Sequence, residues 1–541
     1  MSIIANLSLA EKIGQMVICG FNAYTSDAHI EQLIEKHHIG GVIYFRRNYA
    51  NVQQMADLSY ALQQFNKKNS DIPLFISIDQ EGGMVARIDT DEVTLVPGNM
   101  SIGAARDAQL AYEAAVICAK ELRLMGINVN FAPSLDINNN PKNPVIGVRS
   151  YGESAELVSE LGIATIEGYQ SSDVVATAKH FPGHGDTAVD SHYGLASVPH
   201  DRERLLQLEL APFIRAIQAG VDMIMTAHVM FPAFEPGQIP ATLSRKVLHD
   251  LLRVELKYDG VIVTDCLEMH AISKEFGVAE GAVMAIEGGA DIVLVSHTLE
   301  EQVAAIEALM LAVQSGRLSE EQINASVERI LSLKQKRRMS DIHPLTGGVA
   351  AQFGTLESKE VIRQLTEKSI TIVKDEEQPT FDRSAPTLVI WPEVRHHTEV
   401  DEPIEQAYTL GPALAELGVD VKEFRVSTHP TSEEVASALA LAADYEQIVV
   451  VTYNAVSELH EGQVSIVRQI AVRPNVNLTV ASTRNPYDLN QFPEVKRYVC
   501  CYENRPMTMA ALAKVLTGNI PAQGKLPVTL SPDYSFGMAV N

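Results

Sequence analysis

The stretch DVVATAKHFPGHGDTAVDSH, from Asp173 to His192, joins two different kinds of sequence. It begins with an apolar run of about the length of a buried strand. The residues from Lys179 onward hold three histidines and two aspartates, interleaved with glycine and proline. The pattern predicts a β-strand that ends in a loop rich in titratable side chains.

Similar apolar runs recur before and after this stretch. They are MVICGF from Met16, GVIYF from Gly41, LFISID from Leu74, NVNFAP from Asn128, MIMTAH from Met223, VIVTD from Val261 and DIVLVS from Asp291. The segments between them contain amphipathic helix candidates, for example Ala108 to Gly126, where apolar residues recur every three or four positions before a helix-stopping glycine. Buried strands that alternate with helices indicate a parallel sheet.

Eight such units in about 300 residues fit a (β/α)₈ barrel, which we predict over residues 1–338. A doubly wound open sheet gives the same local pattern and is the alternative. That fold ordinarily carries a glycine-rich phosphate turn after its first strand, and CGFNAY, from Cys19, is not such a turn.

The composition and periodicity of the sequence change after Arg338. Residues 339–358 are rich in Gly, Pro, Ser and Thr and are predicted to form a linker. From residue 359 a helix pattern leads to ITIVKD, and the further strand-like runs TLVIWP, QIVVVTYN, VNLTVAS and RYVCCY alternate with helices. This predicts a second α/β domain over residues 359–541.

Composition excludes several classes of protein. The 541 residues carry a formal charge of −25, which disfavours a nucleic-acid partner because binding a phosphate backbone needs clustered Lys and Arg. The longest basic run, KQKRR (Lys334 to Arg338), is interpreted as the solvated end of a helix. No apolar run is long enough to span a bilayer, and no signal-peptide pattern is visible, so no membrane partner is expected. Five cysteines without metal-ligand spacing favour a reducing, cytoplasmic location.

In a barrel of this kind, functional residues collect at the C-terminal ends of the strands. Five of the predicted strands end in polar sequence: IDQEGGMVAR, APSLDINNN, KHFPGHGDTAVDSH, TAHVMFP and TDCLEM. Each alone is explained by a turn or a helix cap. Five on one rim indicate a site.

Asp265 and the pair Asp190 and His192 are the sharpest candidates. Asp265 ends a buried strand, where it acts either as a helix N-cap or as a carboxylate that stabilises or attacks a cationic transition state. Residues two apart in an extended segment share a face, so Asp190 can orient His192 as an acid/base.

A metal site is the alternative raised by four histidines, His180, His184, His192 and His228. A shared helical face for His180 and His184 is prevented by the Pro and Gly of HFPGH, so neither a metal nor a cofactor is expected.

KHFPGHGDTAVDSH resembles the signature of the β-N-acetylglucosaminidases of glycoside hydrolase family 3. DQEGGMVAR, NFAPSLDIN, VIGVRSYG, TAHVMFP and VTDCLEM follow in the order of that family, and NPYDL and GKLPVTL resemble its second, α/β sandwich domain. The resemblance implies a retaining enzyme with Asp265 as nucleophile and His192, oriented by Asp190, as acid/base. It also implies that a terminal GlcNAc is held by a further set of residues, namely Asp79, Arg87, Arg149, Lys179 and His180.

One residue departs from the family pattern: Met84 stands where relatives commonly carry Arg in EGGRV. Three alternatives stay open beside the hydrolase. The first is a β-N-acetylglucosaminide phosphorylase that uses the same residues, because a neutral imidazole does not repel an anionic acceptor. The others are a β-glucosidase of the same superfamily and a non-catalytic carbohydrate sensor. The expected partner is a GlcNAc-containing carbohydrate, and the expected state is a monomer or homodimer.

Overall fold

The computed structural model describes residues 3–187, 195–348, 351–376, 380–394, 408–454 and 461–540. Its first part is a closed barrel of eight parallel strands, in the order β1-β12-β11-β9-β7-β6-β3-β2. All eight predicted runs are confirmed as barrel strands, and the open-sheet alternative is wrong. The strands are β1 (Val17–Gly20), β2 (Gly41–Tyr44), β3 (Phe75–Ile78), β6 (Val129–Asn130), β7 (Val175–Phe181), β9 (Met223–Thr226), β11 (Val261–Cys266) and β12 (Ile292–Val295).

The strands form because they are buried on both faces, by the barrel interior and by the surrounding helices; every residue of β7, for example, is buried. Local signals set the helix ends. In α5 (Ala108–Leu124) the Asp107 side chain accepts from the amide of Leu110, and Gly126 follows the helix with a φ of +77°. The other α-helices of this part are α1 (Leu9–Gln15), α2 (Ala28–His37), α3 (Val52–Lys67), α4 (Asn99–Ala105), α6 (Ala155–Ser171), α7 (Arg202–Gln207), α8 (Ala211–Gln218), α9 (His270–Ser273), α10 (Val278–Gly288), α11 (Leu299–Gln314) and α12 (Glu320–Lys336), and a π-helix spans Lys246–Glu255.

Two pairs of short strands lie in the loops that follow barrel strands. An antiparallel hairpin pairs β4 (Gln80–Gly82) with β5 (Val85–Ala86), directly after β3. A parallel pair joins β8 (Ala196–Ser197) to β10 (Val229–Met230). The sequence patterns do not predict these strands, because each is too short to show a periodicity.

The basic run at Lys334 to Arg338 does lie at the end of a helix, α12, but the prediction that it is solvated is wrong for two of its residues. Lys334 Nζ is buried and donates to the carbonyl of Gly40 at 2.8 Å. Arg337 Nε lies 2.6 Å from a carboxylate oxygen of Asp222. Both close the end of the barrel opposite to the strand C-termini.

The second part contains one mixed sheet in the order β13-β18-β17-β16-β14-β15, in which β13 is antiparallel to β18 and the other pairs are parallel. Its strands are β13 (Thr371–Asp375), β14 (Thr387–Glu393), β15 (Val421–Ser427), β16 (Gln447–Thr452), β17 (Asn477–Ser482) and β18 (Arg497–Cys500), and its helices are α13 (Leu356–Ser369), α14 (Leu410–Glu416), α15 (Ser432–Ala442), α16 (Glu461–Ala471) and α17 (Pro506–Leu516).

A barrel followed by an α/β sandwich domain is therefore confirmed as the fold. Sequence patterns missed only the edge strand β15 in this second sheet, because its side chains are mostly half-exposed and form no apolar run. The boundaries at 1–338, 339–358 and 359–541 stay predictions. Among the described residues, no helix is both long and apolar enough to cross a membrane.

Candidate active site

The C-terminal ends of the barrel strands surround a cavity of about 600 Å³. Six of the residues selected from the sequence line it: Asp79, Arg87, Arg149, Lys179, His180 and Asp265. The other two, Asp190 and His192, lie outside the described residues. Three of the five polar strand ends, IDQEGGMVAR, KHFPGHGDTAVDSH and TDCLEM, therefore contribute residues to one cavity, whereas no residue of APSLDINNN or TAHVMFP lines it.

Lys179 is the centre of a buried ion-pair cluster in this cavity. It lies on β7, is 2% exposed, and places Nζ 2.7 Å from Asp79 Oδ1 and 2.6 Å from Glu81 Oε1. Burial alone would lower the pKa of Lys179, but the charges of Asp79 and Glu81 outweigh it and raise that pKa. The ammonium is therefore charged and fixed in place.

Glu81 and Arg149 form the second part of the cluster. Arg149 Nη2 lies 2.7 Å from Glu81 Oε1 and Nε lies 3.0 Å from Oε2, a bidentate pair. Burial acts to raise the pKa of Glu81, yet the nearby Arg149 and Lys179 hold it well below its usual range. Arg87 completes the cluster, with Nη2 at 3.8 Å from Asp79 Oδ2.

Glu81 belongs to the DQEGG motif, but the sequence predicted no role for it. The signal available was its position three residues after the end of β3. Its partners come from β7 and from the Gly147–Arg149 turn, and local sequence does not reveal such pairings.

His180 is held by Asp136, a second residue that sequence reasoning quoted without assigning it a role. The His180 ring places Nδ1 2.6 Å from Asp136 Oδ2, and Nε2 lies 3.4 Å from Arg149 Nη2. Since Arg149 can only donate, the network assigns the proton to Nδ1 and leaves Nε2 as an acceptor. Asp136 is fully buried, which acts to raise its pKa, but His180 and the other donors lower that pKa to about 2.

Asp265 lies at the end of β11, is partly exposed, and accepts a hydrogen bond from the amide of Cys266 at 2.7 Å. The next helix, α9, begins at His270 after Met269 as its N-cap residue. The alternative role of Asp265 as the N-cap of the following helix is therefore wrong. Its carboxylate faces the cavity instead.

His184 and His228, which raised the question of a metal, have protein partners. His228 Nε2 lies 2.9 Å from the carbonyl of Cys266, and His228 Nδ1 lies 2.8 Å from Thr242 Oγ1. His184 Nδ1 lies 3.0 Å from Thr187 Oγ1. Burial, followed by the proximity of His180, lowers the pKa of His184 to about 4, so this ring is neutral at physiological pH.

Two other groups among the described residues bring three potential metal ligands together. In the first, Cys266, Glu268 and His297, both carboxylate oxygens of Glu268 accept backbone amides of residues 297 and 298. In the second, Asp186, His200 and Glu209, the Arg204 guanidinium lies 3.1 Å from Asp186 and 3.4 Å from Glu209. Donors of the protein therefore occupy both oxygens of Glu268 and one oxygen each of Asp186 and Glu209, and we assign no metal to either group.

The wall beside the ion-pair cluster carries an aromatic group that the sequence did not suggest. The Arg47 guanidinium lies 4.2 Å from the centroid of the Phe45 ring, and Arg87 lies 5.6 Å from it. The His297 ring packs against Phe45 at 5.2 Å. All four residues line the cavity, which thus combines a cationic wall with a flat apolar surface.

The barrel carries a carboxylate at the end of its seventh strand and an ion-pair cluster in the same cavity, at the face where barrel enzymes have their active sites, and a carboxylate in that position suits glycoside hydrolysis. The model of the glycosyl hydrolase family 3 N-terminal domain matches residues 8–333. The chain belongs to glycosyl hydrolase family 3, and the resemblance inferred from the motifs is confirmed.

Three comparisons describe its relatives. The chain is 31% identical over 588 residues to beta-hexosaminidase A of Pseudoalteromonas piscicida, with 97% of each protein covered. A solved family 3 beta-N-acetylglucosaminidase from Paenibacillus sp. str. FPU-7 is 54% identical, with a TM-score of 0.94 and coverage of 97% of this chain and 99% of that one. Beta-hexosaminidase of Stenotrophomonas maltophilia (strain K279a) is 34% identical over 288 residues, which is 83% of that protein but only 52% of this chain.

Proposed function

We propose that the protein is a retaining β-N-acetylglucosaminidase that removes a terminal, non-reducing GlcNAc from β-linked glycosides. The observation that carries this proposal is the position of Asp265, whose carboxylate enters the same cavity as the Asp79, Glu81, Arg149 and Lys179 cluster. The names of the relatives, beta-hexosaminidase and beta-N-acetylglucosaminidase, support the choice of sugar.

In the proposed reaction, Asp265 attacks the anomeric carbon while the glycosidic bond breaks. His192, oriented by Asp190, gives its proton to the departing oxygen, and a glycosyl ester of Asp265 forms. A water molecule then attacks the anomeric carbon, His192 takes the proton of that water, and Asp265 leaves as a carboxylate. The product keeps the β-configuration.

The terminal sugar is proposed to be held by Asp79, Arg87, Arg149, Lys179 and His180. Their existing contacts leave defined donors for it. Lys179 uses two of its three N–H groups on Asp79 and Glu81. Arg149 uses Nε and Nη2 on Glu81 and His180 and one Nη1–H on the carbonyl of Val145, so one further Nη1–H is available. Charged donors of this kind bind sugar oxygens strongly.

Phosphorolysis is the second candidate, because one observation favours it. The cavity lining contains five cationic side chains, Arg46, Arg47, Arg87, Arg149 and Lys179, against the four carboxylates of Asp79, Glu81, Asp265 and Glu268, so positive partners for an anionic acceptor are present at its wall. In that reaction phosphate replaces water in the second step, and the same Asp265 ester is transferred to it.

Product analysis separates the two reactions. The enzyme is incubated with 4-nitrophenyl β-GlcNAc in phosphate and in a phosphate-free buffer, and the products are followed by NMR. We expect free GlcNAc, released first as the β-anomer, in both buffers. Accumulation of GlcNAc-1-phosphate would show that the enzyme is a phosphorylase rather than a hydrolase. Release of the α-anomer first would contradict a retaining mechanism.

The natural leaving group is proposed to be either a muropeptide fragment or a chito-oligosaccharide. A time course on GlcNAc-anhydroMurNAc and on chitobiose ranks the two by kcat/KM. We also propose that the enzyme works in the cytoplasm, which its five free and buried thiols support. Cell fractionation tests this location.

A further inference from the structure

The second domain contacts the barrel at the segments that carry two residues of the sugar site. Four barrel residues are buried within the apolar core of the second domain: Met84, Met100, Ala104 and Val148. Met84 lies between β4 and β5, the hairpin that carries Glu81 and leads to Arg87. Val148 precedes Arg149. The contact therefore reaches within a few residues of the ion-pair cluster.

Arg505 makes the central polar contact with the hairpin. It lies immediately before α17, is 5% exposed, and donates from Nη2 to the carbonyl of Gly83 at the hairpin turn. Its Nη1 forms an ion pair with Asp89, which lies just beyond the hairpin. One side chain of the second domain therefore binds the turn of the hairpin and the chain that leaves it.

The turn is shaped for a close approach. Gly83 has a φ of +55°, and a Cβ added there would lie 2.6 Å from the Cα of Gly98 and 3.1 Å from Glu503 Oε2. A larger residue at this position would meet backbone, so the close packing of the turn against the loop at Gly98 and the second domain requires glycine.

Glu503 makes a parallel contact that leads to Arg149. Its Oε2 accepts the amide of Gly98 at 3.0 Å, and its Oε1 accepts from Thr508 at 2.8 Å. Gly98 is followed by α4, whose first residue, Asn99, donates from Nδ2 to the carbonyl of Arg149 at 2.7 Å. The second domain thus supports both partners of the Glu81–Arg149 pair.

Met84, at the turn of the hairpin, belongs to the same interface. Its Sδ lies 2.9 Å from Arg484 Nη1 and 3.6 Å from the hydroxyl of Tyr453, both in the second domain. Arg484 and Tyr453 are themselves joined at 2.7 Å. A guanidinium from the second domain therefore contacts a side chain at the turn of the β4–β5 hairpin.

We propose that Arg505 and Glu503 are positioning residues for the sugar site: they fix the β4–β5 hairpin and the Arg149 turn, and through them Glu81 and Lys179. This inference rests on the proposed function, since it concerns the binding of the terminal GlcNAc. In this proposal the second domain contributes to the placement of the sugar-binding side chains.

The test uses the full-length protein with Arg505→Met, which keeps bulk but removes the donors, and Arg505→Lys, which restores a charge. Glu503→Gln tests the second contact independently and keeps a buried residue of the same size. Arg497→Met is the matched control, because Arg497 is a buried Arg that pairs with Asp375 inside the second sheet at 2.8 Å. KM and kcat on 4-nitrophenyl β-GlcNAc, melting temperature and hydrogen exchange of residues 80–89 are measured for each.

We expect Arg505→Met to raise KM about tenfold with a smaller change in kcat, and to speed exchange of residues 80–89. Arg505→Lys should recover part of both effects, and Arg497→Met should lower the melting temperature without raising KM. Wild-type KM and exchange in Arg505→Met and Glu503→Gln would overturn the proposal, as would an equal rise in KM for Arg497→Met. If the wild-type enzyme cleaves no β-GlcNAc glycoside, the proposed function fails instead, and hydrogen exchange still decides the positioning role.

Discussion

The Nζ of Lys179 lies 2.6 Å from Oε1 of Glu81 in a part of the cavity where both side chains are almost fully buried. The same carboxylate also binds Arg149 through two hydrogen bonds. Removing a buried carboxylate that two cations share leaves both positive charges buried without compensation, which strongly destabilises the folded protein. Glu81 is therefore the residue on which the geometry of the proposed sugar site depends.

We expect Glu81→Gln to lower kcat/KM by about 100-fold, because Lys179 and Arg149 lose the anion that aligns them. The melting temperature should fall as well. The measurement is steady-state kinetics on 4-nitrophenyl β-GlcNAc together with thermal unfolding. Glu121→Gln is the control, since Glu121 is a buried carboxylate that accepts from Thr94 at 2.7 Å, outside the residues that line the cavity. It should lower the melting temperature and leave kcat/KM unchanged; a Glu81→Gln enzyme with wild-type kcat/KM would contradict the assignment.

Asp136 is expected to act through His180. Its two oxygens accept the His180 ring N–H at 2.6 Å and the backbone amides of His180 and His184. Asp136→Asn replaces one acceptor by a donor and leaves at least one buried N–H without a partner, at a cost of about 1–3 kcal/mol. We predict a lower melting temperature and a fall of about tenfold or more in kcat/KM, because the ring turns away from Arg149.

Asp222→Asn separates this effect from a general loss of stability. Asp222 is equally buried but lies before β9, at the opposite end of the barrel, where it binds Arg337. Its substitution should destabilise the fold without changing KM. If Asp136→Asn and Asp222→Asn change kinetics alike, Asp136 has no specific role at the site.

Much of this architecture could be predicted from the sequence because a parallel barrel buries its strands on both faces. The eight apolar runs are visible for that reason, and so is the position of Asp265 and Lys179 at strand ends. The edge strand β15 could not be recognised in the same way, because its side chains are mostly half-exposed and form no apolar run. The chain from Arg202 to Gln218 forms two short helices, α7 and α8, separated at residues 208–210.

The rest of the site depends on pairings between distant parts of the chain. Glu81 and Arg149 are 68 positions apart, and Arg505 and Gly83 are 422 positions apart. No local periodicity or short motif specifies which carboxylate meets which cation. Only the folded geometry distinguishes Glu81, which holds the cluster together, from the other acidic residues that follow barrel strands.

The proposed dyad of Asp190 and His192 makes a prediction about leaving groups. Removing the proton donor should matter little for 4-nitrophenolate, which departs without protonation, and greatly for a sugar alkoxide. We expect His192→Ala and Asp190→Ala to lose similar factors on chitobiose, both larger than on 4-nitrophenyl β-GlcNAc, and the double variant to lose no more than either single one.

Asp265→Ala serves as the reference, because loss of the nucleophile should abolish turnover of both substrates. The comparison is made by kcat/KM on each substrate for all four variants. A His192→Ala enzyme with full activity on chitobiose would contradict the proposed acid/base role of the Asp190–His192 pair. A double variant whose losses multiply would show two independent roles.

The neutral ring of His184 predicts how the stability of the enzyme depends on pH. Burial and the nearby His180 lower the pKa of His184 from its ordinary value to about 4 in the folded state. Between that pH and about 6.5 the unfolded chain binds a proton that the folded protein does not, so acidification favours unfolding. The stability is therefore complete above about pH 6.5 and declines as the pH falls toward 4, by at most about 3 kcal/mol.

His184→Gln removes this titration. We expect the variant to be less stable than the wild type at pH 7.5, because it loses the hydrogen bond from Nδ1 to Thr187. Its melting temperature should nevertheless fall less than that of the wild type between pH 7.5 and pH 4.5, as measured by differential scanning calorimetry in buffers of equal ionic strength. His249→Gln, at a half-exposed position beside Asp250, should keep the wild-type difference. A His184→Gln protein that loses as much melting temperature on acidification as the wild type would show that groups other than His184 set the acid sensitivity.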